Sequence, residues 1–301
     1  MTYNGNGHPV VERTVSKVSV AMCTYNGDRF LSRQLASLAQ QSWQPDELVV
    51  CDDQSVDSSI AIIKEFARTA PFKVFLYQNK CNLGYVRNFE QAIQMCSGDI
   101  VFLCDQDDVW HPEKIKRCVA VFEHEPAVGL VLHGFDWVDG QGQALPRPIE
   151  RYGDAGLTAS ELPETFKQSS IEVFMSPYPR AWCGCMMAFR SLFLADIVPI
   201  FPGKGHDDWV LKLLSAISQV RFLDEALINY RIHSTNVNGR DISRRTLGYR
   251  WDRFLYKAAR VLKGYSKRAF YEQLLKRLAL SKHNVLYPEL VKKYRHHAKW
   301  F

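Results

Sequence analysis

The chain lacks any apolar stretch approaching the ~18 residues that a membrane-crossing helix needs, and its longest apolar runs, such as Ile100 to Cys104, are strand-length. Met1 to Lys17 is polar with no apolar core, so no secretory signal is expected there. No Cys pair has the spacing of a zinc site or a redox motif. The eight cysteines, Cys23, Cys51, Cys81, Cys96, Cys104, Cys118, Cys183 and Cys185, are scattered, and only the last two lie close together. Several sit in apolar runs, where a free thiol behaves as a small hydrophobe. That usage implies a reducing, cytoplasmic compartment. Internal repeats and low-complexity segments are also missing.

What is present is a globular composition. The 301 residues are 47% hydrophobic, ample for a buried core. The net charge is +6, but it is unevenly placed. From Arg244 to Phe301 there are 16 Lys or Arg against 3 Asp or Glu, a net of +13, which leaves −7 for the rest. The same segment interleaves Trp251, Phe254, Tyr256, Tyr265, Phe270, Tyr271, Tyr287, Tyr294, Trp300 and Phe301 with its basic residues. Basic helices with aromatic residues bind anionic membrane surfaces. A peripheral location at the inner face of the cell membrane is therefore expected. The alternatives for that surface are a solvated helical face or an oligomer contact such as a homodimer. Charge alone permits nucleic-acid binding, but no recognition motif accompanies it, so no nucleic acid is expected.

The first half alternates short apolar runs with helical periodicity. Strands are expected at Val18 to Met22, Glu47 to Cys51, Lys73 to Gln78 and Asp99 to Cys104. Helices are expected at Phe30 to Gln40, Ser58 to Thr69, Val86 to Cys96 and Pro112 to Glu123, the last with Pro at its first turn. This alternation predicts a parallel, doubly wound α/β sheet. Gly140 to Ser170 reads as a long loop. Ala181 to Phe189 is expected to return to the sheet, His206 to Ile217 to be helical and Arg221 to Tyr230 to be a strand. The domain plan is a tail at 1–17, a catalytic domain at 18–240 with halves at 18–110 and 111–240, and a basic helical extension at 241–301.

Doubly wound sheets bind ligands beyond the carboxyl ends of their strands, and the polar signals cluster there. Asp105-Gln106-Asp107-Asp108 follows a buried run directly. Carboxylates crowded at a strand end repel one another unless a cation or donors compensate them. Oxygen ligands favour Mg²⁺, with Mn²⁺ as the alternative. Asp105 and Asp107 are the favoured pair, since alternate residues of an extended chain project to one side; a solvated turn or helix cap is the plainer alternative. Asp52-Asp53-Gln54-Ser55-Val56-Asp57 ends a second strand. Asp53 can accept hydrogens from a nucleobase or ribose, whereas Asp57 suits a helix cap.

The order of these pieces is specific: Thr24-Tyr25-Asn26-Gly27, then Asp52 to Asp57, Asn79 to Gly84, Gly98-Asp99 and Asp105 to Asp108. It resembles the family 2 glycosyltransferases, whose domain has the GT-A fold, over roughly Val18 to Asn236. The fold so implied is a Rossmann-like mixed sheet. The resemblance implies that Thr24, Tyr25 and Asn26 contact the nucleotide and that Asp53 reads the base. Asn82, Gly84 and Asn88 would cover the ribose and diphosphate. Asp105, with Gln106 beside it, would near the ribose, while Asp107 holds the metal. Gly205-His206-Asp207-Asp208-Trp209 resembles the family's acidic acceptor motif. Asp207 then stands as catalytic base, Asp208 as its neighbour, and His206 orients the base or binds acceptor. A helix cap is the alternative for these acids. Tyr230 to Asn236 resembles a segment whose His, here His233, approaches the metal. Trp182, Cys183, Gly184 and Cys185 would floor the acceptor pocket, with Trp182 or Trp209 stacking on a sugar, or would simply pack in the core.

The implied activity is inverting transfer of a sugar from a nucleoside diphosphate to a polysaccharide or lipid-linked glycan. Asp105 to Trp110 and His206 to Trp209 also resemble rhamnosyltransferases of bacterial surface polysaccharides such as O-antigen. That suggests dTDP-L-rhamnose, with a UDP-sugar as the alternative. A sugar nucleotidyltransferase is disfavoured because Cys23 to Asp28 holds no glycine cluster to cradle a triphosphate. The set of acids at Asp105, Asp107 and Asp207 disfavours a non-catalytic binding protein.

Overall fold

A computed structural model describes residues 16–146, 183–202, 205–233, 236 and 267–283. The first layer is a parallel sheet built from β1 (Val18–Thr24), β2 (Glu47–Asp52), β3 (Lys73–Gln78) and β4 (Ile100–Cys104). β1 pairs in parallel with β2 on one side and β4 on the other, and β3 forms the edge beside β2. Every residue of β1, β2 and β4 is buried. Strands covered on both faces read as continuous apolar runs rather than alternating ones, which is why these segments stand out in the sequence. β3, at the rim, alternates between exposed and half-buried positions.

The helices α1 (Asp28–Ala39), α2 (Ser59–Thr69) and α3 (Tyr85–Met95) connect these strands. α1 turns Phe30, Leu31, Leu35 and Leu38 inward, at the spacing of a single helix face. α4 is Lys114–His124, so Pro112 lies just outside it rather than in its first turn.

The second half departs from an all-parallel sheet. The eight strands run in the order β3-β2-β1-β4-β7-β6-β8-β5. β7 (Met187–Arg190) is antiparallel to both β4 and β6 (Val128–Val138). β8 (Gln219–Arg231) runs parallel to β6, and β5 (Val109–Trp110) is antiparallel to β8. β6 has no counterpart among the strands read from the sequence. Gly129, His133 and Gly134 interrupt its apolar pattern, and its pairing with β8 shifts register at those places. His133 is nonetheless fully buried, with Nδ1 against the Gly134 carbonyl at 2.8 Å.

Two further α-helices matter for the site, α5 (Leu194–Ile197) leading toward α6 (His206–Ile217). α7 (Lys267–Leu280) lies in the basic extension. Its Phe270, Leu274 and Leu278, spaced by four, are wholly buried. The Phe270 ring meets Trp209 at 5.8 Å and Phe201 at 5.7 Å, while Arg277 donates to the Val198 carbonyl at 2.8 Å. Burying each such apolar side chain contributes about 1.5–3 kcal/mol. The apolar face of α7 is therefore occupied by the core rather than offered to a bilayer. Apart from Lys282, the basic positions of 241–301 beyond α7 lie outside the described residues. Among the described residues no helix is long and apolar enough to cross a membrane.

Candidate active site

Parallel pairing brings the carboxyl ends of β1 to β4 to one edge, and there the polar segments meet. At the tip of β1, Thr24 is 1% exposed and its hydroxyl donates to Oδ2 of Asp52 at 2.8 Å. Ser55 donates to the same oxygen at 2.5 Å. The Thr24 hydroxyl thus donates its hydrogen within the protein and ties β1 to β2. Asn26 and Gln54 adopt the left-handed backbone region at φ 48° and 67°. Such residues are uncommon, and they cluster at ligand sites. Both are held: Asn26 exchanges bonds with Ser55 Oγ and the Val56 N–H, and Gln54 donates to the Lys80 carbonyl.

Asp53 is 3% exposed, and its carboxylate faces the loop that follows β3. Oδ1 accepts from Asn79 at 2.8 Å and from the Leu83 N–H at 2.7 Å; Oδ2 accepts from the Gly84 N–H at 2.8 Å. Its carbonyl accepts from the Asn82 amide. Asp53 is therefore the organiser of that loop, with three of its acceptor positions engaged before any nucleotide arrives. Gly84 supports the turn with φ +76°, a conformation that costs glycine nothing. Asn88, on α3, is buried and bonded at both ends of its amide, to Cys51 O and Asn79 Nδ2. It holds α3 to β2. Tyr25 remains half-exposed. Its N–H and carbonyl are clamped by the Gln106 amide at 2.8 and 3.1 Å, and Gly27 leaves the room that amide occupies.

The acids after β4 diverge. Asp105 is half-buried and is pushed up to about 7 by burial and by the neighbouring Asp107 and Asp207 carboxylates. Asp107 points to β8 and beyond: its Oδ2 lies 2.9 Å from His233 Nε2 and 3.2 Å from Asn236 Nδ2. Asp108 is buried. Its Oδ1 accepts the Arg231 N–H at 2.9 Å and its Oδ2 has no partner. Burial, followed by Asp107 and Asp105, holds it well above the usual carboxylate range. Ligand atoms of Asp105, Asp108 and Cys185 lie within 4.8 Å of one another.

The donor chemistry offers two places for a cation. Asp107 and His233 form a carboxylate–imidazole pair from separate segments, with Asp105 adjoining, and this suits Mg²⁺ or Mn²⁺. The Asp105–Asp108–Cys185 group is more buried and carries a thiol held neutral, which a hard ion disfavours. The first set fits the implied metal better.

Several members were not singled out in the sequence. Lys114 is completely buried; its Nζ donates to the Cys185 carbonyl at 2.6 Å and lies 3.5 Å from the Trp110 ring centroid. Arg231 bridges Asp107 O, Asp108 Oδ1 and Asp139 O. Both lie near the motif segments, but only long-range packing reveals their roles.

On the facing side, α6 opens with His206, Asp207 and Asp208. Asp207 Oδ1 accepts the Asp208 N–H at 2.8 Å, and the helix N-terminus favours the negative charge. Asp208 is half-buried beside it. His206 is buried and stacks on Phe89, with Gly184 against its Nε2 edge. Its nitrogens make no hydrogen bond among the described residues, so none is seen to orient Asp207. Trp209 is 2% exposed and its Nε1 donates to the Ile197 carbonyl at 2.7 Å. Its expected stacking on a sugar is corrected: the ring belongs to the core. Trp182 lies outside the described residues.

A mixed sheet whose parallel half ends in acids, faced by an acid-tipped helix, is the arrangement of the GT-A fold. Residues 19–194 match the glycosyl transferase family 2 description. The chain belongs to that family. It is 30% identical over 227 residues to an uncharacterized glycosyltransferase of Nostoc sp., spanning 73% of this chain and 66% of that one. It is 28% identical to EpsE of Bacillus subtilis, over 82% of this chain and 83% of that one. Among solved structures, S. aureus TarS with UDP aligns at TM-score 0.54 and 22% identity, over 72% of this chain and 61% of TarS. The mannosyltransferase PcManGT from Pyrobaculum calidifontis, solved with GDP-Man and Mn²⁺, aligns at TM-score 0.54 and 19% identity, over 73% and 58%.

Proposed function

We propose that the chain transfers a sugar from a nucleoside diphosphate to a hydroxyl of a growing polysaccharide or lipid-linked glycan, with inversion. One observation carries the reading: the carboxylates of Asp107 and of Asp207, which come from separate segments, both push Asp105 up. Acids from the end of β4 and from the head of α6 thus act on one another.

In this reading the diphosphate lies at Asp107 and His233. A divalent ion held there supplies Lewis-acid stabilisation to the departing diphosphate. Asp207 takes the proton from the acceptor hydroxyl as general base. The N-terminus of α6 favours negative charge there. Asp53 and the Asn79–Gly84 loop shape the nucleotide side through their backbone rather than through the Asp53 carboxylate. The clamp between Gln106 and Tyr25 fixes the half-exposed Tyr25 ring at the same edge.

The favoured donor is dTDP-L-rhamnose, on the sequence likeness around Asp105 to Trp110 and His206 to Trp209. A UDP-sugar is the second reading, favoured by the fold shared with TarS, which has been solved with UDP and with UDP-GlcNAc. Purified protein is given dTDP-L-rhamnose, UDP-GlcNAc or UDP-Gal with Mn²⁺ or Mg²⁺ and a lipid-linked glycan primer. Release of nucleoside diphosphate that depends on the primer supports transfer, and the donor released fastest settles the choice. No primer-dependent release from any donor ends the reading. The remaining basic positions of 241–301 would bring the enzyme to the anionic inner membrane face, where lipid-linked acceptors reside.

A further inference from the structure

One aromatic ring joins the two sides of the cleft. His206 is the first residue of α6, immediately before Asp207. Its ring lies 3.9 Å from that of Phe89 with the planes 22° apart, and Tyr85 meets it edge-on at 6.0 Å. Phe89 and Tyr85 belong to α3, the helix that Asn88 ties to β2 on the nucleotide side. Gly184, in the turn leading into β7, lies against the ring, and a Cβ there would run into His206 Nε2. The residue is 5% exposed, and among the described residues neither ring nitrogen has a hydrogen-bond partner.

A buried imidazole with two idle nitrogens costs stability that an aliphatic side chain would not, so packing energy alone does not account for it. Its shape does. An imidazole is flat and shorter than a phenyl ring, and it fits with Phe89 on its face and Gly184 at its Nε2 edge, where one added carbon finds no room.

We propose that His206 is a positioning residue: its ring, held by Phe89 on one face and by Gly184 at its Nε2 edge, sets the placement of Asp207 relative to the nucleotide side of the site. This rests on the reading of Asp207 as the base. The ring couples α3, which belongs to the donor half, to α6, which carries the proton acceptor. Gly184 is then required as the wall at the Nε2 edge rather than as a surface for the acceptor.

The test is a double-mutant cycle on the full chain, using the donor that the panel selects, with UDP and Mn²⁺ as binding probe. Gly184→Ala and His206→Ala each lower kcat about 10–100-fold, the cost of misplacing a reacting group by an ångström or so. UDP affinity and acceptor KM stay within about 3-fold, as positioning requires. In the His206→Ala background, Gly184→Ala changes kcat less than about 2-fold, because the added methyl enters the vacated slot. Phe89→Leu withdraws the stacking face without adding an atom; it gives the same split of kcat from binding and serves if Gly184→Ala does not fold. Losses that multiply in the double variant overturn the proposal. So does loss of UDP binding in His206→Ala, or a raised acceptor KM with kcat kept. An inactive wild type instead overturns the glycosyl-transfer reading itself.

Discussion

His233 Nε2 lies 2.9 Å from Asp107 Oδ2, although the two residues are 126 positions apart in the chain. Asn236 reaches the same oxygen at 3.2 Å, and the Phe30 ring packs on the imidazole at 4.5 Å. Asp107 therefore has a nitrogen donor beside it before any ligand arrives. If this pair holds the cation, His233→Gln weakens Mn²⁺ binding in the presence of UDP by about 10-fold, and Asp107→Ala by more. Electron paramagnetic resonance of free Mn²⁺ measures it. Unchanged affinity in Asp107→Ala would remove the pair from the metal site.

Asp207→Asn keeps the shape of the helix terminus and removes the proton acceptor. Turnover should fall at least about 10²-fold, the usual contribution of a general base. UDP binding, followed by calorimetry, should be preserved. Collapse of binding together with turnover would assign Asp207 to the nucleotide instead.

Lys114 stands behind the acid cluster with no exposure to solvent. Lys114→Met retains most of the side-chain volume but leaves the Cys185 carbonyl without its donor. An uncovered buried acceptor costs about 1–3 kcal/mol, read as a lower urea midpoint. An unaltered midpoint would mean that the ammonium stabilises nothing.

Burial lowers His206 to about 3, so the folded protein resists protonating it. The unfolded chain takes up that proton near the ordinary histidine value of about 6.5. Stability from this group is fully present above that value and declines as pH falls toward 3. The slope is about 1.4 kcal/mol per pH unit while the unfolded state alone is protonated. His133 is also held neutral, by burial and then by Lys114, and contributes in the same direction. A melting series from pH 7 to pH 4 on wild type and His206→Asn isolates the His206 share: the variant should lose less stability on acidification. Parallel curves would contradict the burial argument.

Phe270→Ala hollows the contact of α7 with Trp209 and should cost about 3–5 kcal/mol. Flotation with anionic liposomes should be unaffected by it, since Phe270 faces α6 rather than a bilayer. Weaker flotation with unchanged stability would reverse that assignment.

The parallel half was readable from the sequence because its signals are local. β1, β2 and β4 are continuous apolar runs, and the helices between them carry their own periodicity. β6 was not readable. Gly129, His133 and Gly134 break its pattern, and only pairing with β7 and β8 makes it a strand. The acid-bearing motifs were legible as a set, since carboxylates at the ends of buried strands are conspicuous. What each carboxylate does was less so. Asp53 and Asp107 look alike in sequence, yet one is enclosed by backbone N–H groups and the other meets an imidazole.

The sequence by itself determined that acids stand at the tips of buried strands and at the head of a helix, because periodicity and turn chemistry act over a few residues. Only the tertiary structure decided that Thr24, Asp53 and Asn88 are spent on internal hydrogen bonds and that Trp209 and α7 belong to the core. It also gave atomic form to the meeting of His233 and Asp107, which the family resemblance implies, and set His206 against Gly184. Those outcomes depend on which distant groups share a small buried volume, and local sequence carries no record of that.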